Sequence, residues 1–161
     1  MNIDTPFKEF STVVSDDWID YNGHLNVAYY HLIFDLAAKP FLTWLGFTPE
    51  VREQHNCSTF ALESHLNYLA EVKVDTEVRV ESRLLDIHQK RFHFYQEMFT
   101  SDTNTLAASY EALGTAVSMQ TRKSAPMPEI VYERATKIQQ AHSVLDRPWQ
   151  IGHVIAVNPV H

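Results

Sequence analysis

A chain of 161 residues that is 45% hydrophobic and 12% aromatic, with four glycines, has the length and apolar content for one compact domain with its own core, which argues against a disordered or collagen-like chain and against a two-domain enzyme. Thirteen Lys and Arg against twenty Asp and Glu leave a formal charge of −7, so the surface as a whole repels the phosphate backbone that dominates nonspecific nucleic-acid binding, and no nucleic-acid partner is expected. The single cysteine, Cys57, leaves no internal disulfide, and the first ten residues carry no basic segment followed by an apolar run, so a cytoplasmic protein is expected.

In chain order, residues 7–14 alternate apolar and polar positions as far as Ser15-Asp16-Asp17, predicting a first strand that runs into a loop. That loop carries Asp20-Tyr21-Asn22-Gly23-His24-Leu25-Asn26. Residues 27–46 hold only His31, Asp35, Lys39 and Thr43 as polar positions, predicting a central helix buried almost all round, capped by Asn26 and Gly46. Pro40 is expected to kink it or split off its last turn. The same interruptions leave it short of the roughly 20 clean apolar residues that cross a bilayer, so no membrane partner is expected.

After an irregular connection over residues 48–57, four segments alternate with period two: 58–70, 77–87, 91–100 and 105–121. In the first, Phe60, Leu62, Leu66 and Tyr68 share one face and Glu63, His65 and Asn67 the other. The third has aromatic residues on both faces, which implies a sheet buried on both sides. The connections are short enough to make the four strands consecutive neighbours in a meander. Residues 129–147 place Val131, Ala135, Ile138, His142 and Leu145 at helical spacing, predicting an amphipathic surface helix closed by Pro148. The apolar run from Trp149 to Val157 is expected to pack on this chain or a neighbour. One strand, one buried helix and a long antiparallel sheet that must curl around it make an α+β layout, that of a hotdog fold. Residues 1–128 form the hotdog domain in this reading, with 129–161 as a helix and tail packed on it.

The sharpest local feature is the 20–26 loop, with four polar side chains and a glycine at the entrance of an apolar helix. A turn accounts for much of it: Asp20 and Asn22 bond nearby backbone, Gly23 supplies positive φ, and Asn26 caps. A site accounts for the rest, since free N–H groups at a helix N-terminus favour developing negative charge. Thioester hydrolysis needs a carboxylate to attack the acyl carbon or activate water, with N–H donors for the oxygen as it turns anionic. Asp20 and the amides near Val27 and Ala28 supply both, with His24 and Asn22 placed to orient water or the carbonyl. Glu63, His65 and Asn67 form a second polar cluster, able to meet the Asp20 loop of another subunit or simply to make a hydrogen-bonded strand face. Lys90-Arg91 and Arg122-Lys123, with Arg79 and Arg83, are candidate contacts for the phosphates of a carrier such as coenzyme A, or ordinary solvated cations. No G-x-S-x-G, G-x-x-x-x-G-K-[ST], G-x-G-x-x-G or H-E-x-x-H pattern is present, and the nine histidines fall in no metal-ligand spacing, so neither metal nor separate cofactor is expected. His55 beside Cys57 can mimic a thiol–imidazole pair, though a lone cysteine is more commonly buried and inert.

The run Asp20 to Asn26, with Tyr29-Tyr30 and Phe34-Asp35, resembles the opening motif of the 4-hydroxybenzoyl-CoA thioesterase family of hotdog proteins. The resemblance extends through 65–72, Lys90-Arg91 and 124–128, covering most of residues 7–128, and is strongest to the thioesterases of carnitine degradation, which cleave betainyl-CoA. It implies that Asp20 is the catalytic carboxylate, that the helix start polarises the thioester carbonyl, and that the site lies between two subunits of a homodimer or dimer of dimers. The chain departs from the pattern at Val27, where many relatives have a second Asn, and at Pro40. On this resemblance Gly23, Asn26, Val27, Ala28 and Tyr30, with Glu63, His65 and Tyr68, are the expected substrate contacts. For a betainyl group, Trp44, Phe41, Tyr29, Tyr30 and Glu63 offer aromatic faces and an acidic neighbour. The expected function is hydrolysis of a small acyl-CoA. The alternatives are a hotdog enoyl-CoA hydratase or dehydratase, which needs a working Asp/His pair, and a noncatalytic acyl-CoA-binding protein.

Overall fold

The computed structural model describes residues 3–157, so residues 1–2 and 158–161 of the two ranges above lie outside the described residues. The elements are β1 (Ser11–Val13), α1 (Val27–Leu45), α2 (Pro49–Gln54), β2 (Cys57–Tyr68), β3 (Glu77–Ile87), β4 (Arg91–Thr100), β5 (Leu106–Ser118) and α3 (Glu129–His142), with a 3-10 turn at Asp16–Trp18. They form one antiparallel sheet in the order β1-β3-β4-β5-β2, curled around α1.

The predicted α1 is present, started by the Asn26 side chain on Ala28 N–H at 3.0 Å and ended by Gly46 in the left-handed region. It is not split at Pro40. Phe41 is fully buried against Phe7 and Phe94, at centroid distances of 5.8 and 5.7 Å, and this packing offsets the roughly 3 kcal/mol that a mid-helix proline costs. Burial all round is corrected. Tyr30, Ile33, Phe34, Ala37, Phe41 and Leu45 face the sheet, whereas Val27, Ala28, His31, Asp35, Leu36 and Lys39 are exposed in the single chain.

Three further expectations change. The first strand shortens to Ser11–Val13, with Phe7 meeting Ser82 only as an isolated bridge. The connection before β2 contains α2, because Thr48 caps Val51 N–H at 3.3 Å and Pro49 sits at its first turn, where the missing N–H costs nothing. The meander holds for β3-β4-β5 only. β2 skips β3 and pairs with β5, taking the far edge of the sheet.

A bulge at Leu62 also changes the faces of β2: Phe60 pairs with Thr115, whereas Leu66 pairs with Tyr110 and Tyr68 with Ala108 on the α1 side. Phe60 therefore points opposite to Leu66 and Tyr68. Gly114 lies opposite Phe92, whose ring occupies the place of a side chain, so a Cβ there would fall inside the ring's van der Waals envelope. Gly114→Ala is expected to cost about 2–3 kcal/mol as overpacking, read as a lower urea midpoint at unchanged slope.

The segment before β1 continues the pairing on the outer edge of β3 as far as Ser82, and beyond it α3 lies along that edge. The helix ends at His142 rather than at residue 147, with Val131, Ala135, Ile138 and His142 buried. His142 Nδ1 accepts Leu84 N–H at 2.9 Å, and Nε2 faces Asp4 O at 2.8 Å, the pattern of a neutral imidazole donating through Nε2. Burial holds it below its ordinary value of 6.5. The unfolded chain therefore takes up this proton first as pH falls, so the stability tied to neutral His142 is complete above about 6.5 and is lost progressively below it. Melting temperature is expected to fall between pH 7.5 and 5.5, and His142→Gln to flatten that slope. Beyond α3 the chain crosses to the sheet face away from α1, where Gln150 and Ile151 are buried, while Val154, Ile155 and Val157 are exposed.

Candidate active site

The 20–26 loop is pinned at both ends. Ile19 and Leu25 form an antiparallel bridge, Asp20 N–H donates to His24 O, and Gly23 N–H returns to Asp20 O, both at 3.0 Å. Gly23 has φ +79° with open space around a would-be Cβ, so backbone conformation rather than crowding asks for glycine. Leu25 N–H bonds Val72 O at 2.7 Å, and the Tyr30 hydroxyl donates to Ala70 O at 2.9 Å, tying helix start and loop to the segment after β2. Trp18 stacks on Tyr29 at 5.7 Å.

Within this frame Asn22 orients Asp20: its backbone N–H donates to Oδ1 at 2.8 Å and its Nδ2 lies 3.4 Å from Oδ2. At the helix start, Ala28 N–H is taken by the Asn26 side chain and Tyr29 N–H by Asn26 O, whereas Val27 N–H has no acceptor among the described residues. The open donor is thus Val27 and not Ala28. The His24 ring sits 3.4 Å from Leu25 O, with no contact to Asp20 among the described residues.

A cavity of 250 Å³ opens here, lined by His24, Leu25, Val27, Tyr30, Tyr68, Leu69, Ala70 and Glu71. Burial first, and then the charges of Glu71 and Asp20, push the Tyr30 phenol above its ordinary value of 10.0, so it stays a donor to Ala70. Glu71, Leu69 and Ala70 were not singled out from sequence as site residues. Their signal was the 65–72 stretch of the resemblance, whose position directly after β2 carries meaning once β2 is known to end beside the start of α1.

Glu63 and His65 lie elsewhere. They point to the outer sheet face, into a cavity of 510 Å³ shared with His93, Glu111 and the tail at Gly152 and His153. There His93 Nε2 meets Glu111 Oε1 at 2.7 Å, Gly152 N–H donates to Glu111 Oε2 at 2.7 Å, and His65 stacks on His153 at 6.0 Å. The aromatic set suggested for a betainyl group is dispersed as well. Phe41 and Trp44 sit about 21 and 26 Å along α1 from Val27, Tyr29 is held by Trp18, and of that aromatic set only Tyr30 lines the cavity.

The two basic pairs converge. Lys90 O accepts from Ala116 N–H and Thr115 Oγ1, Arg91 pairs with Thr115, Lys123 O accepts from Ser118 N–H, and the Arg122 guanidinium lies 5.1 Å from the Phe60 ring centre. All four side chains are exposed. This end of the sheet is about 25 Å along β2 from Tyr68 and the cavity at the start of α1, which Asp20 itself does not line. Arg83 is not available to phosphate, being buried against Glu97 and donating to Asp146 O at 2.8 Å, and Arg79 is engaged by Glu81 and Asn104. Cys57 is buried, its thiol pushed up by burial, with Sγ directed at Val51 O rather than at His55. Among the described residues no group of three or more His, Cys, Asp and Glu is placed to hold a metal ion, and no helix is long and apolar enough to cross a membrane.

A five-stranded antiparallel sheet wrapped on one helix is the hotdog architecture, and the candidate site at that helix's start holds a carboxylate and an open amide. The model of the thioesterase-like superfamily matches residues 14–135, so the chain belongs to that superfamily and is a thioester hydrolase. A betainyl-CoA thioesterase of Pseudomonas aeruginosa is 34% identical over 94% of this chain and 95% of its own length. A Staphylococcus aureus protein solved in complex with CoA superposes with a TM-score of 0.89 at 27% identity, over 98% of this chain and 99% of that one. A thioesterase-like protein of Pseudomonas putida KT2440 superposes at 0.82 with 32% identity, over 95% and 97%.

Proposed function

We propose that this chain hydrolyses a small acyl-CoA, with betainyl-CoA the foremost candidate, in a site shared by two subunits. The observation that carries the chemistry is the Asp20 carboxylate, oriented by Asn22, beside a helix start whose Val27 N–H is free to donate to a developing anion. With the thioester carbonyl oxygen on Val27 N–H, Asp20 either attacks the acyl carbon or takes a proton from the water that does. The oxygen becomes anionic at the positive end of α1, where the aligned peptide dipoles favour it. The carbon–sulfur bond then breaks, coenzyme A leaves as the thiolate and is protonated, and the acyl group departs as its acid. In the nucleophilic route, water first cleaves the Asp20 acyl anhydride. His24, at the cavity wall, orients water or the acyl group.

The edge of β2 supports the shared site. It is twelve residues long, without lysine or proline, and exposes Leu62 and Tyr68, an edge that invites pairing with another chain. Two-fold antiparallel pairing about the middle of β2 exchanges its ends, bringing the Lys90, Arg91, Arg122 and Lys123 cluster of one subunit toward the start of α1 and its cavity in the other. The cluster suits coenzyme A phosphates, which a −7 chain otherwise repels. Thiol release from betainyl-, acetyl-, hexanoyl- and benzoyl-CoA tests the proposal. Saturable release with betainyl-CoA best is expected, and no release from any thioester by the folded protein overturns it.

A further inference from the structure

Tyr30 and Tyr68 stand at right angles, with ring centres 5.3 Å apart and planes at 88°, and form two walls of the 250 Å³ cavity. Glu71 is at its rim, and Asp20 lies within electrostatic reach of the same tyrosine. The one cation beside Glu71 among the described residues is Lys73, whose Nζ is 3.9 Å from Oε1. Both side chains are largely exposed, so the pair is weak and yields readily to a cation arriving in the cavity. His24 is the remaining titratable wall.

We propose that Glu71, acting with the perpendicular Tyr30 and Tyr68 rings, is the specificity determinant that selects a cationic acyl group, a quaternary ammonium one methylene from the thioester carbonyl. The proposal rests on the acyl-CoA thioesterase reading above. With the carbonyl on Val27 N–H, so short an acyl group carries its charged head toward the corner that the two rings form at the cavity wall. A trimethylammonium group spreads its charge over weakly hydrated methyls, so aromatic faces attract it at small desolvation cost. Aromatic walls also accept a neutral branched group of the same shape through simple burial. The carboxylate is what distinguishes the two, and it repels an acyl group that carries its own carboxylate.

The test uses the full chain with betainyl-CoA and its neutral isostere 3,3-dimethylbutanoyl-CoA, comparing kcat/KM for each. The wild type is expected to prefer the cation at least tenfold. Glu71→Gln is expected to reduce that ratio about fivefold by slowing the cationic substrate alone, and Glu71→Lys to reduce it further. Tyr68→Leu is expected to lower the same ratio by removing one aromatic wall. A Glu71→Gln enzyme that keeps the ratio, or loses both rates equally, overturns the proposal while leaving the thioesterase reading intact. A wild type that cleaves the neutral isostere as well as the cation also overturns it. Failure to cleave any acyl-CoA overturns the thioesterase reading, and this proposal with it.

Discussion

Asp20→Asn is expected to lower kcat for thioester hydrolysis by two to four orders of magnitude while leaving substrate affinity and folding close to wild type. The size follows from what the carboxylate is asked to supply: a positioned base contributes roughly 10²–10⁴-fold, or about 3–5 kcal/mol of barrier, and an amide has neither its basicity nor its nucleophilicity. The selectivity follows from the local bonds. An asparagine side-chain oxygen still accepts Asn22 N–H, the turn closed by Asp20 O and Gly23 N–H is made by backbone, and Val27 N–H is untouched. Steady-state thiol release with equilibrium binding of a nonhydrolysable acyl-CoA analogue checks both halves. Wild-type turnover would make Asp20 a turn residue only. His24→Ala is the useful companion: a hydratase depends on an Asp/His pair, whereas this His24 ring is placed at Leu25 O and should cost far less than Asp20.

If the proposed two-fold pairing forms, Leu62→Arg is expected to convert that dimer to monomers and to remove activity in proportion. Leu62 is the extra residue of the β2 bulge, half-exposed on the unpaired edge. Burying such a side chain contributes about 1.5–3 kcal/mol, and an interface with two-fold symmetry contains it twice. Losing both contributions, with a charge left to desolvate, comes to about 3–6 kcal/mol, which raises the dimer dissociation constant about 10²- to 10⁴-fold. Light scattering and thiol release over a concentration series would report the two effects together. Retention of full turnover by a monomer would show that one chain holds a complete site.

Much of this was readable from residue order. Period-two alternation located β3 and β4 to the residue, because each strand has its own hydrophobic rhythm and short polar turns on both sides. Asn26, an apolar run and Gly46 bounded α1 for the same local reason. The bulge at Leu62 was not readable, since it is a property of pairing with β5 and leaves β2 with an unbroken alternation. Alternation alone puts Phe60 on one face with Leu66 and Tyr68, whereas the bulge turns it to the opposite face.

By itself the amino-acid order determined the elements, the two-layer class, the turn that presents Asp20 and the amide-rich helix start behind it. These depend on caps, periodicity and backbone conformation within a few residues of one another. Only the tertiary structure decided which groups line the cavity at the start of α1. Tyr68, Leu69, Ala70 and Glu71 reach the helix start because β2 crosses to the far side of β5, and Lys90, Arg91, Arg122 and Lys123 gather because β4 begins where β5 ends. Such neighbours are separated by tens of residues along the chain and are joined by strand order and register, which long-range packing selects and local propensity does not.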